Sequence, residues 1–63
     1  MRIKRHFAGY YTVTNQKTGR SVTVERRDDL DGWLASADWT FNYYTDPVAT
    51  YRDAKAAAVE MLS

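Results

Sequence analysis

Sixty-three residues with no cysteine, a single histidine and a formal net charge of +1 bound what this chain can be. It is enough for one domain, 1–63, with a thin core, since a chain of this size buries only about 60% of the surface its unfolded form exposes. No thiol exists to form a disulfide, ligate zinc or attack a substrate, and a lone His6 makes no metal cluster.

The near-neutral total conceals a division along the chain. Residues 1–27 carry Arg2, Lys4, Arg5, Lys17, Arg20, Arg26 and Arg27 against Glu25 alone. Residues 28–63 carry Asp28, Asp29, Asp31, Asp38, Asp46, Asp53 and Glu60 against Arg52 and Lys55. Such a division either steers a charged partner to one end of the molecule or neutralises itself inside the fold. No apolar run is long enough to span a membrane, and the basic start is not followed by the apolar stretch of a signal peptide. The expected setting is cytoplasmic, with no membrane partner.

Residues 2–14 alternate. Ile3, Phe7, Tyr11 and Val13 fall on odd positions, and Arg2, Lys4, His6, Tyr10, Thr12 and Thr14 on even ones. This is the period of a strand with one wet face, interrupted at Ala8-Gly9 by a bulge or bend. Residues 15–20 are turn chemistry, with Gly19 suited to positive φ. Val22 and Val24 then alternate with Thr23, Glu25 and Arg27. Setting Asn15 opposite Arg20 predicts Val13 beside Val22 and Tyr11 beside Val24. The same register puts Thr12 beside Thr23 and Tyr10 beside Glu25 on the wet face.

Asp28-Asp29-Leu30-Asp31-Gly32 is a second turn, its Asp-Gly pair a hairpin signal. It lacks the distal glutamate of a calcium loop and is read as an acidic turn rather than a metal site. From residue 33, Trp33, Ala35, Ala37, Trp39, Phe41 and Tyr43 alternate with Leu34, Ser36, Asp38, Thr40, Asn42 and Tyr44. That run is long for one strand, so a bend or loop is expected near 36–40, or a short fourth strand over 41–44. A loop at 36–40 would expose Trp39.

Thr45-Asp46-Pro47 ends the sheet. Thr50 then caps a helix, with Asp53 at the third helical position as a variant of the capping box. The alanine-rich run after it has high helix propensity. Helical spacing places Tyr51, Ala54, Ala57, Ala58, Met61 and Leu62 on one face, and Arg52, Asp53, Ala56 and Glu60 on the other. The small residues would let the helix sit close to a sheet face carrying rings.

Little here speaks of catalysis. His6 stands among Arg2, Lys4 and Arg5 with no carboxylate beside it in sequence, and Gly9, Gly19 and Gly32 are too scattered for a phosphate loop. The reading is a protein that is not an enzyme, with no cofactor, no metal and no small-molecule substrate. The basic start is the sharper signal. If it extends the first strand, Arg2, Lys4 and His6 line the wet face beside Tyr10, with Arg27 and Arg20 joining from the second. Lysine and arginine also serve simply to keep an edge strand from pairing. Tyr10 and Tyr44, placed on the polar face, are candidate anchors for a partner protein.

The stretches Tyr11-Thr12-Val13, Gly32-Trp33-Leu34-Ala35 and Thr50-Tyr51-Arg52-Asp53-Ala54-Lys55-Ala56-Ala57-Ala58 resemble two related families. These are the arm-type DNA-binding domain of tyrosine integrases and the plant ethylene-response-factor DNA-binding domain. The resemblance implies a three-stranded sheet backed by one helix, with the sheet meeting DNA. The families carry arginines in their second and third strands, whereas the third strand here has none. A chain of this style also resembles small accessory products of bacteriophages.

The expected fold is therefore α+β: a three-stranded antiparallel sheet, with a short fourth strand as an option, and one C-terminal helix across one face. The expected core is Phe7, Tyr11, Val13, Val22, Val24, Trp33, Ala54, Ala58, Met61 and Leu62. The expected function is that of a small non-catalytic nucleic-acid-binding or regulatory accessory, with Arg2, Lys4, Arg5, Arg20, Arg26 and Arg27 meeting phosphates. The alternative is a protein-interaction module, such as a phage-type regulator or inhibitor of a host protein, docking through its charged ends and through Tyr10 and Tyr44.

Overall fold

The computed structural model describes residues 1–40 and 43–63. Four strands, β1 (Arg2–Phe7), β2 (Tyr10–Thr14), β3 (Ser21–Arg27) and β4 (Gly32–Ala37), form one antiparallel sheet in sequence order. A helix, α1 (Tyr51–Met61), packs on the β3 and β4 side of one face. The architecture is α+β, as the sequence implies.

The extra strand comes from the start of the chain. Residues 2–14 are two strands folded back on each other, with Ala8 and Gly9 as the turn and Gly9 at φ 85°. Of these two, only Gly9 has positive φ, so the turn is neither of the primed types whose twist matches the strands. The mismatch is absorbed next door. Arg2 to Arg5 pair regularly with Thr14 to Tyr11, then the register slips so that Phe7, not His6, stands opposite Tyr10. The extra residue is a β-bulge, and it reverses which face Phe7 serves. Phe7 stacks on Tyr10 on the open face, with ring centroids 5.1 Å apart, and is 63% exposed. Its assignment to the core is corrected accordingly.

The β2–β3 hairpin follows the expected register: Val13 meets Val22, Tyr11 meets Val24, Thr12 meets Thr23 and Tyr10 meets Glu25. The Asn15 N–H donates to Arg20 O at 2.9 Å, and Gly19 takes φ 76°. Between β3 and β4, Asp28–Leu30 forms a 3-10 turn, and Asp31 adopts the left-handed conformation at φ 51°. The chain does leave the sheet after Ala37, and the proposed short strand over 41–44 includes Phe41 and Asn42, which lie outside the described residues. Beyond them the chain runs back along β4. The N–H groups of Ala37 and Thr45 donate to Tyr43 O and Ala35 O, and Trp33 and Val48 exchange both backbone bonds at 2.7 and 2.9 Å. Gly32 permits this approach, because a Cβ there would lie 2.6 Å from Val48 O.

Thr50 caps the helix, its Oγ1 accepting the Asp53 N–H at 3.2 Å. The core beneath it is Val13, Val22, Val24, Ala35, Ala54, Ala58 and Leu62, all buried. Helix alanines thus meet valines and an alanine at the centre, while the rings take the rim. Tyr11, Trp33 and Tyr51 cluster at centroid distances of 4.4 to 6.2 Å and are half-buried, as is Met61. Burial first, and the neighbouring Tyr11 second, raise the pKa of the Tyr51 phenol. Asn15 ties the far end, its Nδ2 donating to Leu62 O at 2.9 Å.

Candidate nucleic-acid interface

The helix does not extend over β1, whose six residues are all exposed. The strand therefore projects as an edge, with one face beside the helix and one on the open side of the sheet. Ile3 and Arg5, opposite Val13 and Tyr11, share the helix side. Arg2 and Lys4, opposite Thr14 and Thr12, share the open side. Together Arg2, Lys4, His6, Thr12, Thr14 and Gln16 line a shallow groove of about 300 Å³. His6 Nε2 and Thr12 Oγ1 share a 2.7 Å hydrogen bond, which holds the imidazole along the groove wall.

The six expected cations divide into two groups. Arg27 is clasped by Asp29, with Nε and Nη2 donating to the two carboxylate oxygens at 3.1 and 3.0 Å, and Glu25 lies 3.6 Å from Nη1. The side-chain hydrogen bond to Asp29, and then its charge, raise the Arg27 pKa; the same hydrogen bond lowers that of Asp29. Arg26 pairs with Asp28 at 3.5 Å. Arg20 lies over the Trp39 ring, its guanidinium carbon 5.2 Å from the centroid. Arg2, Lys4 and Arg5 engage no carboxylate among the described residues. The anionic half of the chain thus quenches the end of β3 and leaves β1 uncommitted.

Beside the cationic groove, His6, Phe7 and Tyr10 form an aromatic cluster, with His6 edge-on to Tyr10 at 5.4 Å. Alternation alone does not place Phe7 there, because its odd position points inward. The signal that could have found it is Gly9 between two alternating runs, which is as good a two-residue turn as an interruption. A cleft of about 510 Å³ adjoins the cluster, lined by Phe7, Tyr10, Glu25, Arg26, Asp28 and Trp33 among others. Tyr10 is half-buried within this cluster. Tyr44 lies outside this cluster, 58% exposed at the β4 margin, where it shares a second cleft with Leu30, Leu34 and Pro47. No cluster of three metal-ligating side chains occurs among the described residues, and no helix among them is long and apolar enough to cross a membrane.

These features define a sheet-and-helix module with one cationic edge. Comparison with protein-family models, curated proteins and solved structures finds no match for the chain.

Proposed function

We propose that this protein is a small non-catalytic accessory of the cytoplasm that binds nucleic acid through its N-terminal hairpin. The observation that carries the reading is the commitment pattern of the cations. Arg26 and Arg27 are neutralised by the adjoining turn, whereas Arg2, Lys4 and Arg5 stand on an exposed strand with no acidic partner among the described residues. A row of unpaired cations is what a phosphate backbone recruits, through release of its condensed counterions. The hydroxyls of Thr12 and Thr14 beside them suit phosphate and sugar oxygens.

The test is affinity for labelled nucleic acid at several salt concentrations. Binding that weakens steeply with salt is expected. Replacing Arg2, Lys4 and Arg5 together by alanine should flatten the logarithmic slope by about 2, since each phosphate no longer neutralised removes roughly 0.7–0.9. Absence of binding at low salt would overturn the reading.

A second reading is favoured by the β4 margin, where Tyr44, Leu30, Leu34 and Pro47 form a largely apolar hollow bordered by Glu25 and Arg27. There the protein would be a regulator or inhibitor that docks a partner protein. Tyr44→Ala, rather than the β1 substitutions, would then abolish capture of that partner.

A further inference from the structure

Two neighbouring sites along β1 differ in chemistry. The first is the groove of Arg2, Lys4, His6, Thr12, Thr14 and Gln16, which offers positive charge and hydroxyls. The second begins one residue on, at Phe7. One face of that ring lies on Tyr10 at an interplanar angle of 18°, and the side chain is 63% exposed although it has no part in the core. The cleft that Phe7 borders also holds Glu25, Asp28 and Arg26, with Arg26 paired to Asp28. With its arginine already engaged by a carboxylate, this cleft offers a phosphate less than the groove does but admits an uncharged base, and carboxylates accept hydrogen bonds from exocyclic amino groups. Charge therefore sorts the two sites: phosphate toward Arg2 and Lys4, base toward Phe7.

A base in a duplex has both faces covered by its neighbours, so an exposed ring gains a base only where the strand is unstacked. The rest of the open face argues the same way. The sheet spans roughly 14 Å from β1 to β4, at about 4.8 Å per strand. A duplex laid over it, with a major groove about 12 Å wide, would bring its second backbone toward the far strands. The charges there include Glu25, Asp29 and Asp38, with Asp29 occupying Arg27 and Asp38 accepting a hydrogen bond from Thr23. Among the described residues, the open-face cation of those far strands, Arg27, is already held by Asp29, so the second backbone meets little free positive charge.

We infer that the hairpin holds single-stranded rather than double-stranded nucleic acid, stacking one base on Phe7 while the phosphates on one side of it follow Lys4 and Arg2. The inference rests on the nucleic-acid reading above and specifies its substrate.

Three probes of equal length, about 12 nucleotides, separate the possibilities: a labelled single strand, its duplex, and a strand of the same phosphodiester backbone lacking bases. The intact protein should bind the single strand more tightly than the duplex or the baseless strand. Phe7→Leu keeps apolar bulk and removes the π face. It should weaken single-strand binding roughly ten-fold, the loss of one stacked base, with the salt slope unchanged. Its thermal unfolding should match that of the parent, since Phe7 lies outside the core, so a folding defect is read separately. Equal or tighter duplex binding, equal binding of the baseless strand, or no effect of Phe7→Leu would each overturn the inference while leaving the cationic hairpin as a nucleic-acid site. No binding of any probe at low salt would overturn both.

Discussion

At the scale of single residues, two glycines show how differently the same residue type can be required. Gly19 needs its positive φ of 76° and has open space where a side chain would go. Gly32 needs space, because an added Cβ would lie 2.6 Å from the backbone oxygen of Val48. Gly32→Ala should therefore pry residue 48 from β4 and cost about 1–3 kcal/mol, as overpacking does. Gly19→Asn, whose side chain tolerates the left-handed region, should cost much less. Urea midpoints of the two variants check this; equal losses would show that the close approach of Val48 is unimportant. Phe7 teaches a related lesson. Its alternation was legible, but one inserted residue reverses the parity of the strand beyond it, here Phe7, before the turn, and nothing in the composition of a bulge announces it.

Among the elements, the β2–β3 hairpin was readable to the residue because Tyr11 and Val13 on one strand match Val24 and Val22 on the other and six turn residues join them. The first hairpin was not, since a two-residue connection with only one glycine at positive φ looks the same in sequence as a kink within one strand. The helix was legible from its cap and its small-residue face, and Thr50, Ala54 and Ala58 serve as expected. The fate of the arginines was not, because it depends on the 3-10 turn folding Asp28 and Asp29 back onto the strand they follow.

That turn has a pH signature. Hydrogen bonding to Arg27 holds the Asp29 carboxyl below its ordinary value of 3.8, so its contribution to stability is present above that pH. It is lost as pH falls through the lower folded value. The stability gap between the parent and Asp29→Asn should thus narrow below about pH 3.8, as read by urea unfolding across an acid series. A gap independent of pH would mean that the clasp contributes nothing to folding.

The whole molecule has two unlike sheet edges. The β4 edge is lined by its own chain through Tyr43, Thr45 and Val48, whereas β1 has no strand beyond it among the described residues. Charge guards that side instead. An antiparallel meeting of two β1 strands centred on Lys4 would set Lys4 against Lys4, with Arg2 and Arg5 of both copies nearby, and such crowding of like charge opposes association. Replacing Arg2, Lys4 and Arg5 by threonine should remove the barrier while raising strand propensity. Light scattering on the eluting peak should then show twice the parent's mass; an unchanged mass would show that the bulge at His6 suffices to protect the strand.

The lining of β4 by residues 43–48 sets a ceiling on that self-association. A pair formed through its two first strands has used the one sheet rim left unlined among the described residues of each member, so a third copy has no like rim to join. Adhesion between copies is self-terminating at two, so the molecule is spared the fibre growth that a ribbon with both rims vacant would invite.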